Sequence, residues 1–192
     1  MTNPRVLGID PGTQLVGWAV AECDPSGQLQ RIDSGVWKLG RAPVKMGVRL
    51  LKLHQSLEEV LQEYRPTRVA LEAAFFGKNA HSALKLGEAR GVVLLAAEAF
   101  QVPVVELPPA TVKARVAGTG SATKEQVEEL VRMHFSLPDL EAATADETDA
   151  LAVAACALLE PRSQEAESLG SPQSGGIGAK NCGKLPPGAT FQ

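Results

Sequence analysis

The stretch that decides the fold is LGIDPGT, residues 7–13. Its apolar residues predict a short buried strand, and the Pro-Gly turn that follows ends this strand. Asp10 therefore stands where a buried strand ends, and we expect its carboxylate to be exposed at the edge of a sheet. An Asp in this position serves either a Mg²⁺-dependent nuclease or a nucleotide-binding fold, and the stretch alone is compatible with both.

The elements around this stretch predict an α/β fold. Three strands joined by short links predict an antiparallel meander, and helices then alternate with further strands. After the first strand, we predict strands at 16–23, 29–39, 68–72 and 102–107, helices at 44–64, 80–100, 123–134 and 146–159, and a short helix before residue 123. The helix at 44–64 is amphipathic, and Val44, Val48 and Leu51 belong to its apolar period. We therefore expect a mixed five-stranded sheet flanked by helices.

Length and composition predict one domain and a tail. The chain has 192 residues, of which 44% are hydrophobic, which is enough for one full core and too little for two large ones. After Glu160 the sequence turns to Ser, Gly, Pro and Gln, with few large apolar residues to offset the entropy cost of ordering the backbone. We expect a domain over residues 1–160 and a disordered C-terminal tail over 161–192.

Charge and cysteine usage narrow the class of protein. The net charge of −3 argues against a protein that simply coats nucleic acid. Five basic residues and no acidic ones nevertheless fall between Ser34 and Leu57, a pattern that fits either a binding patch or a solvated helix face. The three cysteines have neither disulfide nor zinc spacing, and no apolar run is long enough for a signal or a membrane span. We expect a cytoplasmic protein.

Four carboxylates stand at positions that indicate a shared site. Asp10 and Glu72 each end a predicted strand, and Asp146 and Asp149 share one face of the last predicted helix. That helix is apolar nearly all round, so unpaired charges at its start are costly to bury, and no neighbouring Lys or Arg compensates them. Acids in a first helical turn also favour the helix dipole, which is the simpler explanation for the pair by itself. The same entry carries a candidate capping box, Thr144 with Glu147.

Together, these carboxylates favour metal-dependent phosphodiester chemistry. Oxygen ligands without His or Cys select Mg²⁺ or Mn²⁺. A cluster of several carboxylates holds two such ions about 4 Å apart, one activating the attacking water and the other stabilising the leaving oxygen.

Four segments of the chain resemble the signature of the RuvC family of bacterial Holliday-junction resolvases. They are GIDPGT (8–13), LEAAFFGKNAHSALKLGEARG (71–91), GTGSATK (118–124) and ADETDAL (145–151). The resemblance implies an RNase H-like fold and a homodimeric, Mg²⁺-dependent endonuclease that nicks two opposing strands of a four-way DNA junction in recombination and repair. It also implies that the RuvA–RuvB branch-migration complex is a partner.

The resemblance assigns roles to individual residues. The matched catalytic and metal-binding carboxylates are Asp10, Glu72, Asp146 and Asp149. The basic residues matched near the scissile strand, which would act in catalysis and DNA binding, are Lys113 and Lys124. The other residues expected to contact DNA are Phe75, Phe76, Lys78, Asn79, Lys85 and Arg90. Of the two aromatics, Phe75 matches the one that contacts unstacked bases, and the role of Phe76 is open.

The helix predicted at 80–100 is rich in small residues, which permit close approach of another helix. In the family this helix contributes to the dimer contact, and packing against its own sheet is the alternative.

Three rival functions make different predictions about the sequence. An actin-like ATPase or sugar kinase shares the first loop but requires a second domain and a second phosphate loop. Another RNase H-like nuclease acting on branched DNA would lack the 75–91 segment. A catalytically dead junction-binding module would lack at least one of the four carboxylates, and none is missing.

Overall fold

The computed structural model describes residues 3–73, 80–137 and 144–160. The elements within these ranges are the strands β1 (Arg5–Asp10), β2 (Leu15–Cys23), β3 (Leu29–Lys38), β4 (Arg68–Glu72) and β5 (Val104–Leu107) and the helices α1 (Met46–Tyr64), α2 (Ala80–Ala99), α3 (Pro109–Ala117), α4 (Lys124–His134) and α5 (Ala145–Leu158). None of these helices is long and apolar enough to cross a membrane. Residues 161–192 lie outside the described ranges, so the domain boundary at residue 160 stays a prediction.

The five strands form one mixed sheet in the order β3-β2-β1-β4-β5. The first three strands pair antiparallel, as the predicted meander requires, and β1, β4 and β5 pair parallel. The prediction of a mixed five-stranded sheet flanked by helices is thus confirmed. Because Ile9 of β1 lies opposite Leu71 of β4, the next residues along, Asp10 and Glu72, end their strands at the same edge of the sheet.

Each face of the sheet has its own hydrophobic core. Leu7 and Ile9 pack towards α1 and α2, whereas Val6 and Ala70 belong to the core formed with α3, α4 and α5. Side chains of a strand alternate between the two faces, so residues two apart share a face. Asp10 lies four residues after Val6, and Glu72 lies two residues after Ala70. Both acids therefore project on the face that α5 covers.

Two glycines allow α5 to lie directly on the sheet. A Cβ at Gly8 would stand 2.4 Å from the carbonyl oxygen of Ala150, and one at Gly17 would stand 1.9 Å from the carbonyl oxygen of Asp146. Both distances are far below contact, so only glycine fits at either position. Gly17 lies directly opposite Asp10 in the β1–β2 register. The close approach of α5 thereby brings its first turn beside the end of β1.

The helices differ in how they use their apolar residues. In α5 every residue from Ala150 to Ala157 is buried, as its apolar sequence predicts. In α1 the buried side chains come from the middle and end of the helix, whereas Val48 and Leu51 are exposed and Val44 precedes the helix. The apolar period at the start of the predicted helix is therefore not its inner face.

Candidate active site

The four candidate carboxylates come from three elements that meet at one edge of the sheet. Asp10 and Glu72 end the neighbouring strands β1 and β4, and Asp146 and Asp149 lie in the first turn and a half of α5. All four side chains are half-buried. The fold thus brings together acids that are up to 139 positions apart in the sequence, from Asp10 to Asp149.

Asp10 is the acid most strongly affected by its surroundings. Burial, followed by the charges of Glu72, Asp149 and Asp146, raises its pKa to about 7, even though the charge of Lys124 acts to lower it. Desolvation and like charges both disfavour a second or third negative charge in one place. The other three carboxylates all act on Asp10, so the four acids share one electrostatic environment.

Glu72 is shifted in the same direction for the same reasons. Burial, followed by the charge of Asp149, raises its pKa, and the positive charges of Lys124, Arg90 and Lys113 oppose this shift. Lys113 is half-buried on α3, and Lys124 is the exposed first residue of α4. Both lysines that the sequence matched to the family therefore act electrostatically on the predicted acid.

Lys124 supplies the cationic partner that the sequence near α5 lacks. Its Nζ donates to Oδ2 of Asp149 at 2.7 Å, and this hydrogen bond is the main reason that the pKa of Lys124 is raised. Thr123 caps α4 through a complete capping box with Gln126, and this cap fixes the backbone position of Lys124, the first residue of the helix. The partner of the α5 acid is thus 25 residues away in the sequence.

A family model described as "Crossover junction endodeoxyribonuclease RuvC" matches residues 6–157. The chain belongs to the RuvC family. Among curated relatives, the RuvC of Roseiflexus sp. is 43% identical over 156 residues, covering 81% of this chain and 91% of the relative. The RuvC of Chloroflexus aggregans is 43% identical over 152 residues, covering 79% of this chain and 91% of the relative.

Solved structures agree with this assignment. The RuvC of Thermus thermophilus superposes with a TM-score of 0.75 at 34% identity, covering 81% of this chain and 93% of that one. A structure of the same protein in complex with a Holliday junction substrate matches with the same score and identity, covering 79% of this chain and 91% of that one. The yeast mitochondrial Holliday junction resolvase shares the fold, with a TM-score of 0.61 at 15% identity. The RNase H-like fold and the RuvC resemblance are thus confirmed.

RuvC-family enzymes are nucleases that depend on a divalent metal, and the donor set of this site fits such an ion. Carboxylate oxygens are the ligands that hard divalent cations prefer. Burial raises the pKa of both Asp10 and Glu72, and the nearby positive charges only partly oppose these shifts. Across 3–73, 80–137 and 144–160, no three His, Cys, Asp or Glu side chains are grouped so as to hold an ion as they stand. Asp149 is instead paired with Lys124.

The first turn of α5 is anchored on both sides of Asp146. The Thr144 side chain accepts a hydrogen bond from the backbone N–H of Glu147, as the predicted capping box requires. The Glu147 carboxylate does not return to the cap. It accepts from the Ser34 hydroxyl at 2.6 Å and lies 3.6 Å from Arg31, so it ties the start of α5 to β3. Only half of the predicted capping box is formed, because the Glu147 carboxylate contacts β3 instead of the backbone N–H of Thr144.

The remaining predicted DNA contacts divide into two groups. Phe75, Phe76, Lys78 and Asn79 lie outside the described residues. Lys85 is half-buried on α2, and Arg90 is buried with its guanidinium bound to Glu106 and to the backbone of Glu72. Arg90 therefore has different partners from the phosphates predicted for it.

Sequence reasoning missed three contributors to this RuvC-family site, Gly8, Gly17 and Glu106. A glycine inside a strand signals close approach of another backbone, and this signal was available at Gly8 and Gly17. No comparable signal marks Glu106, because its partner Arg90 is brought to it only by the packing of α2 on the sheet.

Proposed function

We propose that this chain is a homodimeric Holliday junction resolvase that nicks two opposing strands of a four-way DNA junction by hydrolysis. The observation that carries the proposal is the meeting of Asp10 and Glu72, at the ends of two parallel strands, with the two acids of α5. The family match over residues 6–157 and the junction complex of the Thermus relative support it. We assign the nuclease to residues 1–160.

The four carboxylates would hold two Mg²⁺ or Mn²⁺ ions. When bound, such ions activate the attacking water and stabilise the leaving 3′ oxygen. The chain itself supplies position and charge. The sheet fixes Asp10 and Glu72 on neighbouring strands, and the buried helix α5 fixes the other two acids against them. Rigid placement on strands and a helix is the condition for precise catalysis.

The two lysines would act on the phosphate that is cut. Nζ of Lys124 lies 2.7 Å from Oδ2 of Asp149, and the positive charge of Lys113 is close enough to Glu72 to act against the rise in its pKa. A cation beside the scissile phosphate stabilises the negative charge that grows on its oxygens during hydrolysis. We propose that Lys124 exchanges part of its contact with Asp149 for the phosphate when DNA binds. Phe75, or alternatively Phe76, would stack on junction bases, and Lys78, Asn79 and Lys85 would contact the backbone.

The dimer would form through the exposed face of α2. Leu84 and Leu95 are 65% and 63% exposed, and a Cβ at Gly87 or Gly91, which lie between them on this face, would meet nothing within 4 Å. These four residues recur at helical spacing and form one stripe, which we call the α2 stripe. Glycines at the centre of a helix contact allow two helices to approach closely.

A twofold axis through the α2 stripe would pair it with itself and give the dimer two active sites. Two sites related by a twofold axis suit a substrate whose two cut strands are related in the same way. The dimer would work in the cytoplasm, where bacterial relatives find their DNA, and receive junctions from the RuvA–RuvB complex.

The test compares the wild-type chain with Asp10→Asn and Glu72→Gln on a four-way junction, a linear duplex and a flap of matched sequence. We expect the wild-type chain to nick the junction in Mg²⁺ or Mn²⁺ and to leave the duplex uncut. Both variants should bind the junction as tightly as the wild-type chain and fail to cut it. Full activity of Asp10→Asn would contradict the assigned site, and preferred cutting of the flap would favour a different branched-DNA nuclease.

A further inference from the structure

Arg90 is a buried arginine with contacts to two strands of the sheet. Its side chain is 11% exposed, and Nη2 lies 2.6 Å from Oε2 of Glu106 on β5. Its Nη1 donates to the backbone carbonyl of Glu72 at the end of β4. One guanidinium on α2 therefore joins the last residue of β4 to β5.

These contacts hold the peptide group that follows Glu72 from both sides. The carbonyl oxygen of this group belongs to Glu72 and accepts from Arg90. Its N–H belongs to Ala73 and donates to the carbonyl oxygen of Leu107 at 2.8 Å. A peptide group is planar, so fixing both of its polar ends fixes the orientation of the adjoining Cα of Glu72. The direction of the Cα–Cβ bond, along which the Glu72 side chain leaves the sheet, follows from that orientation.

We propose that Arg90, held by Glu106, is a positioning residue that aims the Glu72 carboxylate at the metal site. This inference rests on the proposed function and extends it to residues that contact neither the ions nor the DNA. Groups that orient metal ligands in this way typically change metal affinity or activity by about 10–100-fold when they are removed. This positioning role replaces the phosphate contact that the sequence predicts for Arg90.

The chemistry requires an arginine at this position. A planar guanidinium presents several N–H donors in a fixed fork and can bind a carbonyl and a carboxylate at once. A lysine carries the same charge but concentrates its donors on a single nitrogen at the end of a flexible chain. Arg90→Lys therefore keeps the charge near Glu72 and loses the geometry.

The experiment uses five variants of the full chain: Arg90→Gln, Arg90→Lys, Glu106→Gln, the double variant Arg90→Gln with Glu106→Gln, and the control Arg68→Gln. The control removes an arginine from β4, the strand that ends at Glu72. Arg68 lies at the opposite end of this strand and pairs with Glu160 at 2.9 Å. Three quantities are measured: the single-turnover rate of junction cleavage at saturating protein, the dissociation constant of the junction without divalent metal, and the affinity for Mn²⁺ by electron paramagnetic resonance.

We expect Arg90→Gln to lower both the cleavage rate and the Mn²⁺ affinity by about 10–100-fold, with unchanged junction binding. Arg90→Lys should show the same losses of cleavage rate and Mn²⁺ affinity as Arg90→Gln. Glu106→Gln should show a smaller loss of the same two quantities, because Arg90 keeps its bond to the Glu72 carbonyl. Combining it with Arg90→Gln should add nothing, because both changes act through one contact. The control should match the wild-type chain in all three measurements.

Weaker junction binding in Arg90→Gln, with unchanged cleavage at saturation and unchanged Mn²⁺ affinity, would overturn the proposal and make Arg90 a phosphate contact. If Arg90→Gln fails to fold, wild-type values in Arg90→Lys and Glu106→Gln would overturn it equally. A wild-type chain that cuts no junction would refute the proposed function instead. The Mn²⁺ affinities would still decide whether Arg90 positions Glu72.

Discussion

The helices α2 and α5 are both rich in Ala and Leu, but they are buried to different extents. From Ala150 to Ala157 every residue of α5 is buried, and its first turn contributes two acids to the site. In α2, Leu84 and Leu95 are exposed beside Ala89 and Ala96, which are buried against the sheet. Apolar composition by itself therefore does not tell whether a helix completes its own domain or faces a second copy.

Glycines distinguish the two cases. Gly8 and Gly17 lie beneath α5, where an added Cβ would collide with the helix backbone. Gly87 and Gly91 lie on α2 itself, where an added Cβ would meet open space. The first pair is required by a contact within the chain, and we attribute the second pair to a contact between chains. Substitutions at these positions test each half of the comparison.

The largest effect is expected for Gly17→Ala. The new Cβ would stand 1.9 Å from the Asp146 carbonyl oxygen, so α5 must move away from the sheet. Overpacking of this kind costs about 1–3 kcal/mol of stability, measured by denaturant unfolding. Displacing the α5 acids by about 1 Å should lower the cleavage rate about 100-fold. Gly47→Ala is the control, because a Cβ there meets nothing within 4 Å. Wild-type cleavage by Gly17→Ala would contradict the account of α5.

The next effect is expected on the α2 side. Leu95→Glu places a charge in the α2 stripe and should raise the dimer dissociation constant by about 30-fold, as for loss of an interface residue worth about 2 kcal/mol. Analytical ultracentrifugation measures this constant. Met133→Glu is the matched control, since Met133 is 66% exposed on α4. An unchanged dimer in Leu95→Glu, or a dimer broken by Met133→Glu, would move the interface away from α2.

A smaller effect is expected for Thr144→Ala, which removes the cap of α5. Losing an N-cap costs about 1 kcal/mol, and the loss should appear as a lower free energy of unfolding. Thr144→Ser keeps a hydroxyl that accepts from the Glu147 N–H and should restore the wild-type value. If Thr144→Ala and the wild-type chain unfold alike, the Glu147 contact with β3 alone holds the start of α5.

The smallest effect is expected for Gly91→Ala, and its sign depends on the background. In a Leu95→Glu chain, the new Cβ meets open space, so the helix should gain about 0.5–1 kcal/mol from the loss of glycine. In the wild-type chain the same Cβ should weaken the dimer by keeping the two copies of α2 apart. Equal stabilisation in both backgrounds would place Gly91 outside the interface.

The sequence predicts the sheet and the four acids because both depend on local patterns. Alternation and turns indicate β1 to β3, and the strand ends at Asp10 and Glu72 follow from the same pattern. The apolar run of α5 likewise predicts its burial. The RuvC resemblance then supplies the roles of individual residues, including those of the two lysines.

The rest depends on contacts between distant segments, which a local pattern does not contain. Lys124 becomes the partner of Asp149 only because α4 packs beside α5. Glu147 leaves its predicted capping box because β3 presents Ser34 and Arg31 to it. The resemblance assigns a DNA contact to Arg90, and only the packing of α2 on the sheet shows that its side chain is buried against Glu106.

The most direct test of the central claim is the product formed from a supercoiled plasmid that extrudes a cruciform. The wild-type chain in Mg²⁺ should convert it directly to linear DNA, because two active sites cut opposing strands at one junction. Asp10→Asn should leave it supercoiled. Nicked circles as the sole product, or equal cutting of a plasmid without the cruciform, would contradict a dimeric junction resolvase.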